Sequence, residues 1–168
     1  ETFKDRTFLS QRLPLTALFE RPPEAKEKPL LICLTVEDCK VCAAQKQEWK
    51  LSPPKNVHLQ LISESNLALS DPEKLRLIQL TYDHFFDISE RKIPTPISFL
   101  IDQKNRLCAI YRGHIDQNVL LEDCVNIHIE GTQLRSRSVP FSGLWASKQI
   151  SSARPLNFVE DLLDAGLL

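Results

Sequence analysis

Leu30-Leu-Ile-Cys-Leu-Thr-Val36, followed by Glu37-Asp-Cys39-Lys-Val-Cys42 and then Ala43-Ala-Gln-Lys-Gln-Glu-Trp-Lys50, decides the fold. The first seven residues form a continuous apolar run with β-branched members. Such a run reads as a strand buried on both faces. The last stretch is built from good helix formers, and Ser52-Pro-Pro54 stops it. Asp38 is the expected N-cap, which puts Cys39 in the first helical turn. A buried strand therefore runs into a helix that opens with a Cys-x-x-Cys pair.

Working outward, Val57-His-Leu-Gln-Leu-Ile62 alternates weakly and reads as a second strand. Asp71-Pro-Glu-Lys offers an N-cap and a proline at the first helical position, opening a helix to about Phe85. Its apolar stripe over 75–86 is the core face. Ile93-Pro-Thr-Pro96 breaks the chain. Ile97-Ser-Phe-Leu-Ile101 and Leu107-Cys-Ala-Ile-Tyr111 are strands joined by the polar turn Asp102–Arg106, a hairpin. Asp116 caps a further helix, and a last amphipathic helix is expected from Pro155 to Leu168. Upstream, Leu13–Phe19 reads as an edge strand because Pro14 excludes a central one. This order predicts an α/β protein: a central mixed sheet flanked by helices, with parallel strands first and an antiparallel pair after. The expected organisation is an N-terminal extension (1–29), a main domain (30–129) and a C-terminal extension (130–168).

The placement of Cys39 and Cys42 has a chemical consequence. A helix N-terminus presents unpaired N–H groups and partial positive charge. Both favour thiolate over thiol, so the first cysteine becomes nucleophilic and titrates below the usual ~8.5. Three residues on, the second cysteine lies beside it and can attack a mixed disulfide. Lys40 reinforces the effect and Asp38 opposes it.

The run from Pro29 through Cys42 resembles the active-site strand and helix of the thioredoxin superfamily. Ile93-Pro-Thr-Pro-Ile-Ser-Phe-Leu-Ile-Asp102, with its polar turn, Leu107–Tyr111 and Gly113, is similar to that family's cis-proline hairpin, and closest to the redoxin branch of TlpA- and ResA-like proteins. The resemblance spans residues 13 to 128 or so. It implies a thioredoxin-like fold and thiol–disulfide exchange with protein thiols or disulfides. Cys39 is the implied nucleophile and Cys42 the resolving thiol. Thr95 and a cis Pro96 are implied to flank the pair and bind substrate backbone. It implies no cofactor. Redoxin relatives are commonly exported, so an extracytoplasmic (periplasmic or exported) site is expected, with a cytoplasmic one left open. Such domains also occur within large multidomain bacterial proteins, so neighbouring domains of a longer parent are expected.

The departures are as informative. Asp38 stands where the family usually has Trp, and Lys40-Val41 fills the intervening dipeptide. Cys33 occupies the position of a buried Asp in thioredoxins proper, which removes the proton acceptor that helps the resolving thiol. Slow exchange follows, or a non-catalytic interaction module; Glu37 is a substitute base to consider. A peroxidase reading needs Thr three residues before the reactive cysteine, and Thr35 stands four before. A metal site needs more ligands than this pair, and His58, His84, His114 and His128 show no ligand spacing. The remaining cysteines, Cys33, Cys108 and Cys124, read as core filling. Trp49 and Trp145 read as packing residues, and Arg135-Ser-Arg137 as a solvated loop.

Composition sets outer limits. The 168 residues are 42% apolar and 26% charged, ordinary globular values. Lys plus Arg is 21 against 22 Asp plus Glu, so no basic excess points to nucleic acid. No apolar run reaches the ~18 residues of a membrane span. The chain begins at Glu1 and contains no Met, which reads as a mature form or a piece of a longer protein.

Overall fold

The computed structural model describes residues 6–14, 21–86, 95–130, 132–133 and 155–166. Its strands are β1 (Arg6–Pro14), β2 (Leu30–Thr35), β3 (His58–Ser63), β4 (Ile97–Ile101) and β5 (Arg106–Arg112). Its helices are α1 (Lys40–Leu51), α2 (Glu64–Ser70), α3 (Pro72–Phe86), α4 (Gln117–Asn126) and α5 (Pro155–Asp164). The five strands form one sheet in the order β1-β5-β4-β2-β3. β2 and β3 run parallel, and every other pair is antiparallel. This is the mixed sheet that the order of elements predicts, with a parallel pair and antiparallel neighbours.

All six residues of β2 are buried, as a strand covered on both faces must be. Leu30, Ile32 and Leu34 face one layer, with Leu67 of α2, Leu77 and Ile78 of α3 and Leu162 of α5. Leu31 and Cys33 face the other, with Trp49 of α1 and Leu120 and Cys124 of α4. The helices thus divide into two covering layers, and the terminal helix belongs to the first. Between β4 and β5 the register slips: Leu100 pairs with Ala109 but Ile101 with Leu107. Cys108 is the extra residue, and it joins Ala109 in the α1/α4 layer.

Two expectations need correction, and one helix was not expected. The helix cap is Cys39 rather than Asp38: Cys39 has extended backbone (φ −100°, ψ 107°) and its sulfur accepts the capping bond. The edge strand includes Arg6–Pro14 and so begins well before the expected Leu13; residues 15–20 of the expected Leu13–Phe19 lie outside the described residues. It pairs with β5 across an irregularity between Phe8 and Leu13. An unforeseen helix, α2, follows β3 with no loop between them. Asp71 and Asp116 do cap their helices, accepting from the Lys74 N–H at 3.0 Å and the Asn118 N–H at 2.7 Å. The readings of Trp145, Arg135–Arg137, residues 93–94 and the His84 side chain fall outside what the structure describes.

Candidate active site

β2 ends at Thr35, and a three-residue turn carries the exposed Glu37 and Asp38 to Cys39 at the mouth of α1. Cys39 and Cys42 are joined as a disulfide, with their Cα atoms 5.2 Å apart. The two sulfurs have different surroundings. Cys39 is half-buried at the surface, whereas Cys42 is 1% exposed. The Cys42 backbone N–H donates to Cys39 Sγ at 3.0 Å. A thiolate on Cys39 would keep this donor and face the positive end of the helix. An incoming sulfur can reach Cys39, while Cys42 is confined to reacting with Cys39.

β4 brings the second element. Cys39 Sγ lies 3.5 Å from the Thr95 carbonyl oxygen. The Thr95–Pro96 peptide bond is cis, Thr95 is half-buried and Pro96 is buried. The Pro96 carbonyl accepts from the Gly113 N–H at 2.7 Å, which fastens the prolyl turn to the end of β5. Gly113 holds φ +81°, a conformation that a side chain would strain. Cys39, Cys42, Thr95 and Pro96 therefore converge at one end of the sheet, where β2 stops and β4 starts. Val41, between the cysteines, is 44% exposed and gives this surface an apolar contact.

Sequence reasoning missed the brace under α1. Gln45 is 1% exposed. Its Oε1 accepts from the Ile115 N–H at 2.6 Å, and its Nε2 donates to the Ile115 carbonyl at 3.5 Å. On the surface, His114 Nε2 and Glu48 Oε2 meet at 2.6 Å. Together they tie α1 to the loop after β5. The available signal was a polar Gln three residues beyond Cys42, on the helix face that the strand below must cover.

On the face of β2 that α1 and α4 cover is Cys33, fully buried and paired in register with Ser98 of β4. Burial pushes its thiol up to about 11, against weaker opposing effects of the Ser98 hydroxyl and the Lys46 ammonium. Ser98 Oγ makes no well-aligned hydrogen bond, so its effect on Cys33 is that of a nearby dipole. Cys33 is thus a neutral thiol near pH 7, unlike a carboxylate. Among the described residues, no three His, Cys, Asp or Glu side chains gather as a metal-holding group. No described helix is long and apolar enough to cross a membrane.

No protein-family model matches the chain, and no curated protein is significantly similar to it. Solved structures do overlap it. One is a DsbF homologue from Corynebacterium diphtheriae: 14% identity, 60% of this chain and 72% of that one covered, TM-score 0.37. Another is a thio-disulfide isomerase from Thermus thermophilus: 19% identity, 61% and 81% covered, TM-score 0.39. At these scores the overlap is partial, and the strand order and site geometry carry the assignment. By its sheet order, its cysteine pair at the start of α1 and the prolyl turn opposite, the chain has a thioredoxin-like fold.

Proposed function

We propose that the protein is a thiol–disulfide oxidoreductase of the redoxin type, exchanging disulfides with protein substrates outside the cytoplasm. The observation that supports it most is the asymmetry of the Cys39–Cys42 disulfide: one sulfur reachable, the other buried behind it. In the reduced protein, Cys39 thiolate attacks a substrate disulfide and releases one substrate thiolate. Cys42 then loses its proton and attacks Cys39 Sγ, which expels the second substrate thiolate and closes Cys39–Cys42. Two electrons pass from the cysteine pair to the substrate. The reverse sequence makes a substrate disulfide. Thr95 and Pro96 hold the substrate backbone beside Cys39. Residues 30–129 carry this chemistry, and 1–29 and 130–168 are extensions of it within a longer bacterial parent.

A Cys42→Ser variant tests this directly. It accumulates mixed disulfides on Cys39 when mixed with disulfide-containing protein, and these release on adding a small thiol. A clean absence of adducts favours the second reading, a non-catalytic interaction module. The feature that supports that reading is Cys33, whose neutral thiol takes the place of a proton acceptor.

A further inference from the structure

The oxidoreductase reading leaves one step without a helper. Cys42 must become a thiolate inside the protein, where burial disfavours charge. Cys33, on the face of β2 that α1 covers, is fully buried and protonated near neutral pH, so it accepts no proton. Glu37 and Asp38 are exposed on the turn before Cys39.

Lys46 is differently placed. It follows Cys42 by four residues on α1, so the two occupy the same helix face one turn apart. It is half-buried, at the margin of the face that buries Cys42, Gln45 and Trp49. Side chains on a helix lean toward its N-terminus, which carries the Lys46 stem back over the turn holding Cys42. We propose that the Lys46 ammonium stabilises the Cys42 thiolate as the mixed disulfide is resolved, supplying by charge what Cys33 cannot supply by accepting a proton. The inference rests on the oxidoreductase reading and deepens it.

The Lys46 charge acts on the Cys33 thiol of β2 in the same direction, favouring its thiolate, although burial outweighs it there. The other charged or titratable groups around this layer are otherwise placed. Glu48 of α1 meets His114 from the loop after β5 at 2.6 Å. Asp123 of α4, fully buried, accepts from the Tyr111 hydroxyl at 2.8 Å. Arg112 follows Tyr111 on β5 and so points to the opposite face of the sheet. Lys40 is exposed in the first turn of α1. In the step itself, Cys42 gives its proton to water, its sulfur bonds to Cys39 Sγ, and the departing substrate thiolate takes a proton from water.

The test is stopped-flow reaction of the reduced protein with the chromogenic disulfide dithionitrobenzoate across pH 6–9. Attack by Cys39 releases a first equivalent of the coloured thiolate, and resolution by Cys42 releases a second. In Lys46→Gln the second release is expected to slow about tenfold at pH 7, its pH midpoint rising by about one unit. The first release should change little. Lys46→Arg retains the charge and should keep the midpoint near that of the parent, while loss of packing alone would leave the midpoint unmoved. Two-phase release with an unshifted second midpoint in Lys46→Gln overturns the role of Lys46 alone. A parent protein that never releases the second equivalent overturns the oxidoreductase reading, and this proposal with it.

Discussion

The two ends of the β4–β5 hairpin are built from opposite materials. At the turn end, Asp102 is 3% exposed and fully engaged. Its Oδ1 accepts from the Lys104 and Arg106 N–H groups, both at 2.9 Å, and its Oδ2 from Arg106 Nε at 2.8 Å. Arg21 closes the same knot, donating to the carbonyls of Ala25, Lys28 and Asp102 at 2.6, 2.7 and 2.5 Å and to Asn105 Oδ1 at 2.9 Å. Asn105 holds the positive φ of the turn, 58°, a conformation Asn tolerates. At the other end stand a prolyl turn, a glycine and a half-buried sulfur open to solvent. One end satisfies its polar groups and fixes the sheet. The other leaves its reactive group partly open, and the same two strands hold both in position.

The largest effect should come from cutting the satisfied end. Asp102→Ala removes the carboxylate that accepts from the Lys104 and Arg106 N–H groups and from Arg106 Nε, and is expected to cost about 3 kcal/mol. That corresponds to a fall of roughly 6–12 °C in Tm for a chain of this size. The reaction of reduced Cys39 with dithionitrobenzoate should be unchanged. An altered rate would mean that the two ends are coupled, and would break the contrast.

A smaller effect is expected at the site end. Gln45→Ala leaves the buried Ile115 backbone without its partner, at a cost of about 2 kcal/mol by urea unfolding. Here the exchange rate should change as well, because α1 loses its tie to the loop after β5. A stability loss with unaltered exchange would show that the brace supports the fold and not the cysteines.

The smallest effect concerns Cys33 and pH. Burial raises its folded pKa from 9.0 to about 11, so the folded protein holds this proton more tightly than the unfolded chain. That contribution is fully present below pH 9 and is lost as pH rises through 11. The loss is about 1–2 kcal/mol, discounted from the full conversion of such a shift. Urea unfolding at pH 8 and pH 11 should show it in the parent and show less of it in Cys33→Ala. Equal losses in the two would mean that this thiol does not feel its burial.

The contrast also explains what could be read in the sequence. Leu30–Thr35 was legible because a strand covered on both faces needs an unbroken apolar run, and α4 because Asp116 is an ordinary cap. The cysteine pair and the Thr95–Pro96 turn were visible as a motif at the end of a strand. Cys39 as the cap was not, because rules drawn from oxygen acceptors favour Asp38 one position earlier. α2 was hidden because it follows β3 without a break and buries only Leu67. Arg21 and Asp102 are 81 residues apart and Gln45 and Ile115 are 70 apart, so no local pattern announces either contact.

The most direct measurement is a redox titration of the whole chain in defined thiol–disulfide buffers, with alkylation and peptide mass readout. A single two-electron transition confined to Cys39 and Cys42, with Cys33, Cys108 and Cys124 reduced throughout, is the expected result. If Cys39 and Cys42 fail to interconvert between dithiol and disulfide at any potential, the proposed activity is contradicted.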